Sequence, residues 1–104
     1  MAGMALRIDV ARNLARKCQD VARVLRSLAH PVRLKILSQL GQRERSVNEL
    51  TEFCGTSQSA MSQFLRRMKA EGLVASRREG QFVFYRIENP SLHRLMTAMS
   101  DIYC

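Results

Sequence analysis

From Ser57 to Gly72 the hydrogen-bonding side chains gather on one side of a helical repeat. Met61, Leu65 and Met68 recur at i, i+4 and i+7 and face inward if the stretch is helical, leaving Ser59, Ser62, Gln63, Arg66 and Arg67 outward. Short Ser and Gln side chains in a first helical turn are suited to base edges or phosphates. Guanidinium groups one to two turns later are suited to a phosphate backbone. Ser57 has the chemistry of an N-cap. The spacing predicts a helix that reads duplex DNA; the same spacing would also suit an amphipathic helix with a solvated face.

Cysteine supplies the second chemistry. Cys18, Cys54 and Cys104 are odd in number and far apart, which gives neither a disulfide framework nor a zinc-ligand spacing and fits a reduced, cytoplasmic setting. Cys54 stands where a helix needs an apolar residue and Cys18 lies within an apolar stripe, so packing accounts for both. His30 precedes Pro31 as a helix-start residue, and His93 with Asp101 offers too few donors for a closed tetrahedral site. No metal and no cofactor are expected. No cysteine has a visible His and carboxylate set and no glycine loop could cradle a phosphate, so catalysis is not expected either.

These residues need elements to position them, and 104 residues make a single domain, 1–104. A chain this short buries a modest fraction of its surface, which favours a homodimer. Seventeen Lys and Arg against nine Asp and Glu give a net charge of +8 and favour a polyanionic partner. The charge is uneven, with ten basic and three acidic residues in 1–45 but seven and six in 46–104.

Val10, Leu14, Val21, Leu25 and Leu28 predict one long amphipathic helix over 9–29, with Arg12, Arg16, Lys17, Arg23 and Arg26 on its polar side. Such a helix could instead lie on an anionic membrane or a protein partner. Arg7, Asp9, Arg12 and Arg16 interrupt any signal-like apolar run, and no stretch approaches a membrane span; a soluble, unprocessed protein is expected.

Pro31 opens a second helix that Gly41 ends, and Gln42–Arg45 reads as a charged loop. Ser46 and Glu49 have capping-box spacing for a third helix that buries Val47, Leu50, Phe53 and Cys54. With the Gly55-Thr56 turn and the following helix, 46–72 forms a helix-turn-helix. Two strand-like runs over 73–88, flanking Arg78–Gln81, predict a β-hairpin wing with Arg77, Arg78 and Gln81 near its tip. Asn89 and Pro90 start a final helix, 90–104, expected to pair with the first across a two-fold axis. The fold class is mainly α with a β-hairpin wing (α+β), a winged helix-turn-helix. Its candidate DNA contacts are Ser59, Ser62 and Gln63 at base edges, with Ser57, Gln58, Arg66, Arg67, Arg77, Arg78 and Gln81 on the backbone or an adjacent groove.

The run His30 to Leu37, with Glu49-Leu50, Ser57 to Leu65, Glu71 to Val74 and Gly80 to Tyr85, resembles the ArsR/SmtB family of winged-helix repressors. The resemblance covers about residue 20 to the C-terminus. It implies a homodimeric transcriptional regulator that binds an inverted repeat in double-stranded promoter DNA and leaves it on a signal. That family's third-helix cysteine cluster is matched here by Ser46, Asn48 and Thr51, so that metal site is absent.

The chain is most similar to the HlyU/BigR-like persulfide- and redox-responsive branch, through Leu34 to Leu37, Val83-Phe84-Tyr85 and Asp101 to Cys104. The resemblance implies two sensing cysteines. Cys104 matches the second, whereas Ser38 occupies the position of the first. Cys18 is the candidate substitute if the first and last helices bring it near Cys104, with a reactive sulfur species or oxidant as signal. The alternative is a regulator of this family without thiol sensing.

Overall fold

The structure, a computed structural model, describes residues 2–104, with side chains described from residue 9. Its order is α1 (Ala2–Arg16), α2 (Cys18–Leu28), α3 (Pro31–Leu40), β1 (Arg45–Ser46), α4 (Val47–Cys54), α5 (Gln58–Ala70), β2 (Val74–Glu79), β3 (Phe82–Ile87) and α6 (Pro90–Tyr103). The predicted winged helix-turn-helix is present. It has one strand more than the hairpin, because Arg45 and Ser46 leave the expected loop to pair antiparallel with Tyr85 and Phe84, giving the sheet order β1-β3-β2.

The core is a single cluster in which Ile36, Leu37, Leu50, Met61 and Leu65 are fully buried, Leu92 nearly so, and Met96 is buried at its edge. Local chemistry shapes the elements around it. Ser46 accepts the Glu49 N–H at 3.1 Å while the Glu49 carboxylate accepts the Ser46 N–H at 3.1 Å, so the capping box closes both ways. His30 caps α3 through Nδ1, which accepts the Val32 N–H at 3.2 Å. Gly55 turns the chain between α4 and α5 at φ 67°, and Gly80 opens the two-residue hairpin turn at φ 63°; glycine adopts both without strain. Gly41, by contrast, keeps a right-handed conformation, φ −64°. A Cβ there would lie 3.3 Å from Leu37 O of α3 and in ordinary contact, 3.5 Å, with Met96 Cβ of α6.

Two expectations need correction. The single helix over 9–29 is two helices, α1 and α2, divided at Lys17, whose backbone sits at φ −103°, ψ 10° and whose N–H is shared between Asn13 O and Leu14 O. The apolar spacing runs through Lys17 unchanged, so periodicity is blind to the break. Phe53, expected in the buried face of α4, is 53% exposed, because Leu50 alone fills the core position of that short helix.

The molecule measures 57 × 28 × 23 Å with a radius of gyration of 16.1 Å, above the ~13 Å of a compact 100-residue domain. The excess lies in α1, whose side chains from Asp9 to Arg16 are all exposed. Among the described residues, no helix is long and apolar enough to cross a membrane.

Candidate nucleic-acid interface

Helix α5 is fixed from within by Met61, Leu65 and Met68, each fully buried. That anchoring turns Ser59, Gln63, Arg66 and Arg67 to the exposed side, with Ser62 half-buried beside them. Ser57 is the N-cap, its Oγ accepting the Ala60 N–H at 3.1 Å. The positive end of the helix dipole and the short polar side chains therefore share one end of α5.

A groove of about 230 Å³ runs from this end to the wing, lined by Asn48, Gln58, Ser62, Gln81 and Phe82 among others. It brings three of the sequence-predicted residues, Gln58, Ser62 and Gln81, to one concave surface. Gln58 donates to Asn48 Oδ1 at 2.7 Å, which fixes its amide across α4 and α5. Sequence reading gave Asn48 no such role; a helix-start Asn two residues beyond the Ser46 cap was the available signal. Lys69, also unassigned, donates to Ser76 Oγ at 2.7 Å and ties α5 to β2.

The three wing residues differ in their surroundings. Arg78 lies in β2 opposite Val83, exposed and without an ion pair among the described residues, and Gln81 lies at the turn. Arg77 is engaged within the chain. Its Nε and Nη2 donate to the Glu44 carboxylate at 2.7–3.0 Å, its Nη1 donates to Glu79 at 2.7 Å, and the guanidinium lies 4.6 Å from the centre of the Phe84 ring. Those hydrogen bonds push the Arg77 pKa up, and the Arg77 hydrogen bond holds the Glu44 carboxyl below its usual range. Arg77 thus staples the wing to the segment before β1. Replacing Arg77 by Ala is expected to move the Glu44 carboxyl up toward its ordinary range in carboxyl NMR, the Arg86 charge still drawing it down, and to speed amide exchange in β2 and β3. An unaltered Glu44 titration would show that the staple does not form in solution.

The thiols lie on separate surfaces. Cys104 lines a cleft of about 820 Å³ between α3 and α6, and Ser38 lines the same cleft. Cys18, expected to pack within the apolar stripe, is instead exposed at the start of α2, in a different depression with Gln19, Ala22, Arg23 and Arg26, because within this chain that stripe is left uncovered at Val10, Leu14 and Leu25. Burial pushes the half-buried Cys54 thiol up, against the opposing pull of Lys35, which makes it a poor nucleophile at neutral pH. Among the described residues, no three His, Cys, Asp or Glu side chains come together as a metal site.

Residues 30–76 match the family described as "Bacterial regulatory protein, arsR family". Over 92 residues the chain is 38% identical to the HTH-type transcriptional regulator YgaV of Escherichia coli K12, covering 88% of this chain and 93% of YgaV. Its fold is similar to the transcriptional repressor BigR from Xylella fastidiosa, with a TM-score of 0.83 and 33% identity over 90% of this chain and 96% of that one. It is also similar to the homodimeric winged helix-turn-helix DNA-binding domain of Mb0332 from Mycobacterium bovis, with a TM-score of 0.72 and 36% identity over 85% and 82%.

Proposed function

The chain belongs to the ArsR family of bacterial regulatory proteins, which are transcriptional regulators rather than enzymes, and from that premise we propose that it represses transcription as a homodimer on an inverted repeat in double-stranded promoter DNA. The observation that carries the proposal is the outer face of α5, where Ser59, Gln63, Arg66 and Arg67 are exposed above a fully buried Met61-Leu65-Met68 stripe. In this reading Ser59, Ser62 and Gln63 meet base edges in the major groove. Ser57, Gln58, Arg66, Arg67 and Arg78 meet phosphates, and Gln81 follows the backbone from the wing. Arg77 joins them only by exchanging Glu44 and Glu79 for a phosphate; otherwise it holds the wing's shape.

Dimerisation is supported by apolar side chains that this chain leaves uncovered: Val10, Leu14 and Leu25 on α1 and α2, and Ile102 and Tyr103 on α6, all more than half exposed. The similar Mb0332 domain is described as homodimeric. Two copies would set two α5 helices about 34–36 Å apart, one turn of B-DNA.

The signal is assigned to modification of Cys104 by a reactive sulfur species or oxidant, which would alter the packing of α6 at the dimer face. Cys18 and Cys104 line different depressions of one copy, and in this reading any pairing between them is placed at the dimer face. Ser38, in the cleft with Cys104, favours a second reading in which the regulator has no thiol switch.

Selection from a random duplex library followed by titration tests the function. Replacing Gln63 by Ala is expected to cost about 1–3 kcal/mol on the selected duplex and much less on random DNA. Equal losses on both would remove Gln63 from base reading. Loss of binding after persulfide treatment, with Cys104 modified by mass spectrometry, would support the thiol signal; unchanged binding by modified protein would support the second reading.

A further inference from the structure

An acidic residue at a helix C-terminus is locally unfavourable, because the carboxylate faces the negative end of the helix dipole. Glu71 holds that position on α5, following Ala70. What compensates comes from two other helices. Glu71 Oε2 accepts the Ser27 hydroxyl at 2.7 Å and Arg33 Nη1 at 3.1 Å, and Oε1 accepts Arg33 Nη2 at 3.4 Å. Ser27 belongs to the last turn of α2 and Arg33 to the first turn of α3. Both are buried, at 7% and 9% exposure, while the Glu71 side chain is 32% exposed. Burial alone would raise the Glu71 pKa; the hydrogen bonds from Ser27 and Arg33, with the Arg33 and Arg67 charges, outweigh it and hold the carboxyl below its usual range.

We infer that Glu71, held by Arg33 and Ser27, is a positioning residue for sequence recognition, a strut that sets the angle of α5 against α2 and α3. The inference rests on the DNA-binding reading of α5. The reader helix is seated on its buried Met61-Leu65-Met68 stripe and tied by side-chain hydrogen bonds at both ends. At its N-terminal end Gln58 meets Asn48; at its C-terminal end Lys69 meets Ser76 of the wing and, among the described residues, Glu71 alone reaches α2 and α3. A rod of 13 residues spans about 20 Å, so play at one end displaces the side chains at the other. Contacts to base edges tolerate little displacement, whereas long Arg and Lys side chains follow a phosphate backbone through it. Loss of the strut therefore affects discrimination between sequences before it affects affinity for DNA as such. Because α2 also carries the exposed Leu25, the same carboxylate connects the proposed dimer face to the reader.

The experiment uses the full chain as wild type, Glu71→Gln, Glu71→Ala and the double variant Arg33→Met/Glu71→Leu. Dissociation constants are measured on the wild-type-selected duplex and on a random duplex of equal length, at two salt concentrations, alongside thermal melting. The expected result is a fall of about tenfold in the ratio of selected to random affinity for Glu71→Ala and for the double variant, with random-duplex affinity and salt slope unchanged. Glu71→Gln keeps an acceptor for Ser27 and falls between. Should Glu71→Ala unfold because Arg33 is left buried and unpaired, the double variant, which buries no lone charge, carries the test. A folded variant that keeps the wild-type ratio overturns the strut, as does a proportional fall on both duplexes. A wild-type chain without sequence preference instead overturns the DNA-recognition reading, and the strut with it.

Discussion

Replacing Leu65 by Ala is expected to lower the free energy of unfolding by about 2–5 kcal/mol, measured by chemical denaturation. Leu65 is fully buried between Met61 and Met68 on the inner face of α5, within the cluster that includes Ile36, Leu37 and Leu50. Shortening it removes apolar contact and leaves a cavity that fully buried neighbours can close only in part. Against a total stability of about 5–15 kcal/mol for a domain, this is a large fraction. The effect on DNA follows from population: the variant binds less at temperatures where it is partly unfolded and recovers when cooled. A loss under 1 kcal/mol would mean that α5 is not seated as described. Phe53→Ser, on the exposed side of α4, is the control and is expected to stay within about 0.5 kcal/mol.

Replacing Leu14 by Glu is expected to give a monomer in sedimentation velocity and to weaken binding to a two-half-site duplex by about 10²–10⁴-fold, while binding to a single half-site stays near wild type. Leu14 is 53% exposed and lies on α1 one helical turn after Val10, which is 63% exposed. A carboxylate there would be desolvated at the proposed interface. Ile102→Glu, from a 73% exposed position on α6, should act the same way, since the proposed dimer pairs the first and last helices across its two-fold axis. A Leu14→Glu chain that remains dimeric would move the interface away from α1.

The reader helix was legible because its determinants are local. The Ser57 cap, the Met61-Leu65-Met68 spacing and the Gly55 turn each act within a few residues. The capping box at Ser46 and Glu49 and the hairpin at Gly80 belong to the same class. The break at Lys17 escaped because neither glycine nor proline marks it and the apolar stripe continues across it. Strand β1 escaped because two residues carry no periodicity; pairing with β3 defines them.

Composition, caps and periodicity determined the class of fold, the place of α5 and the polarity of its outer face, since each depends on neighbours within one or two turns. The tertiary structure alone decided which charges are spoken for. Arg77 meets Glu44 across 33 residues and Arg33 meets Glu71 across 38, so a one-dimensional reading counts all four as free surface charges. It also decided that Cys104 shares a cleft with Ser38 and not with Cys18. A pairing between distant residues follows from how the buried faces of several helices close on one core. That closure is a property of the packed chain, and no short window of residues encodes it.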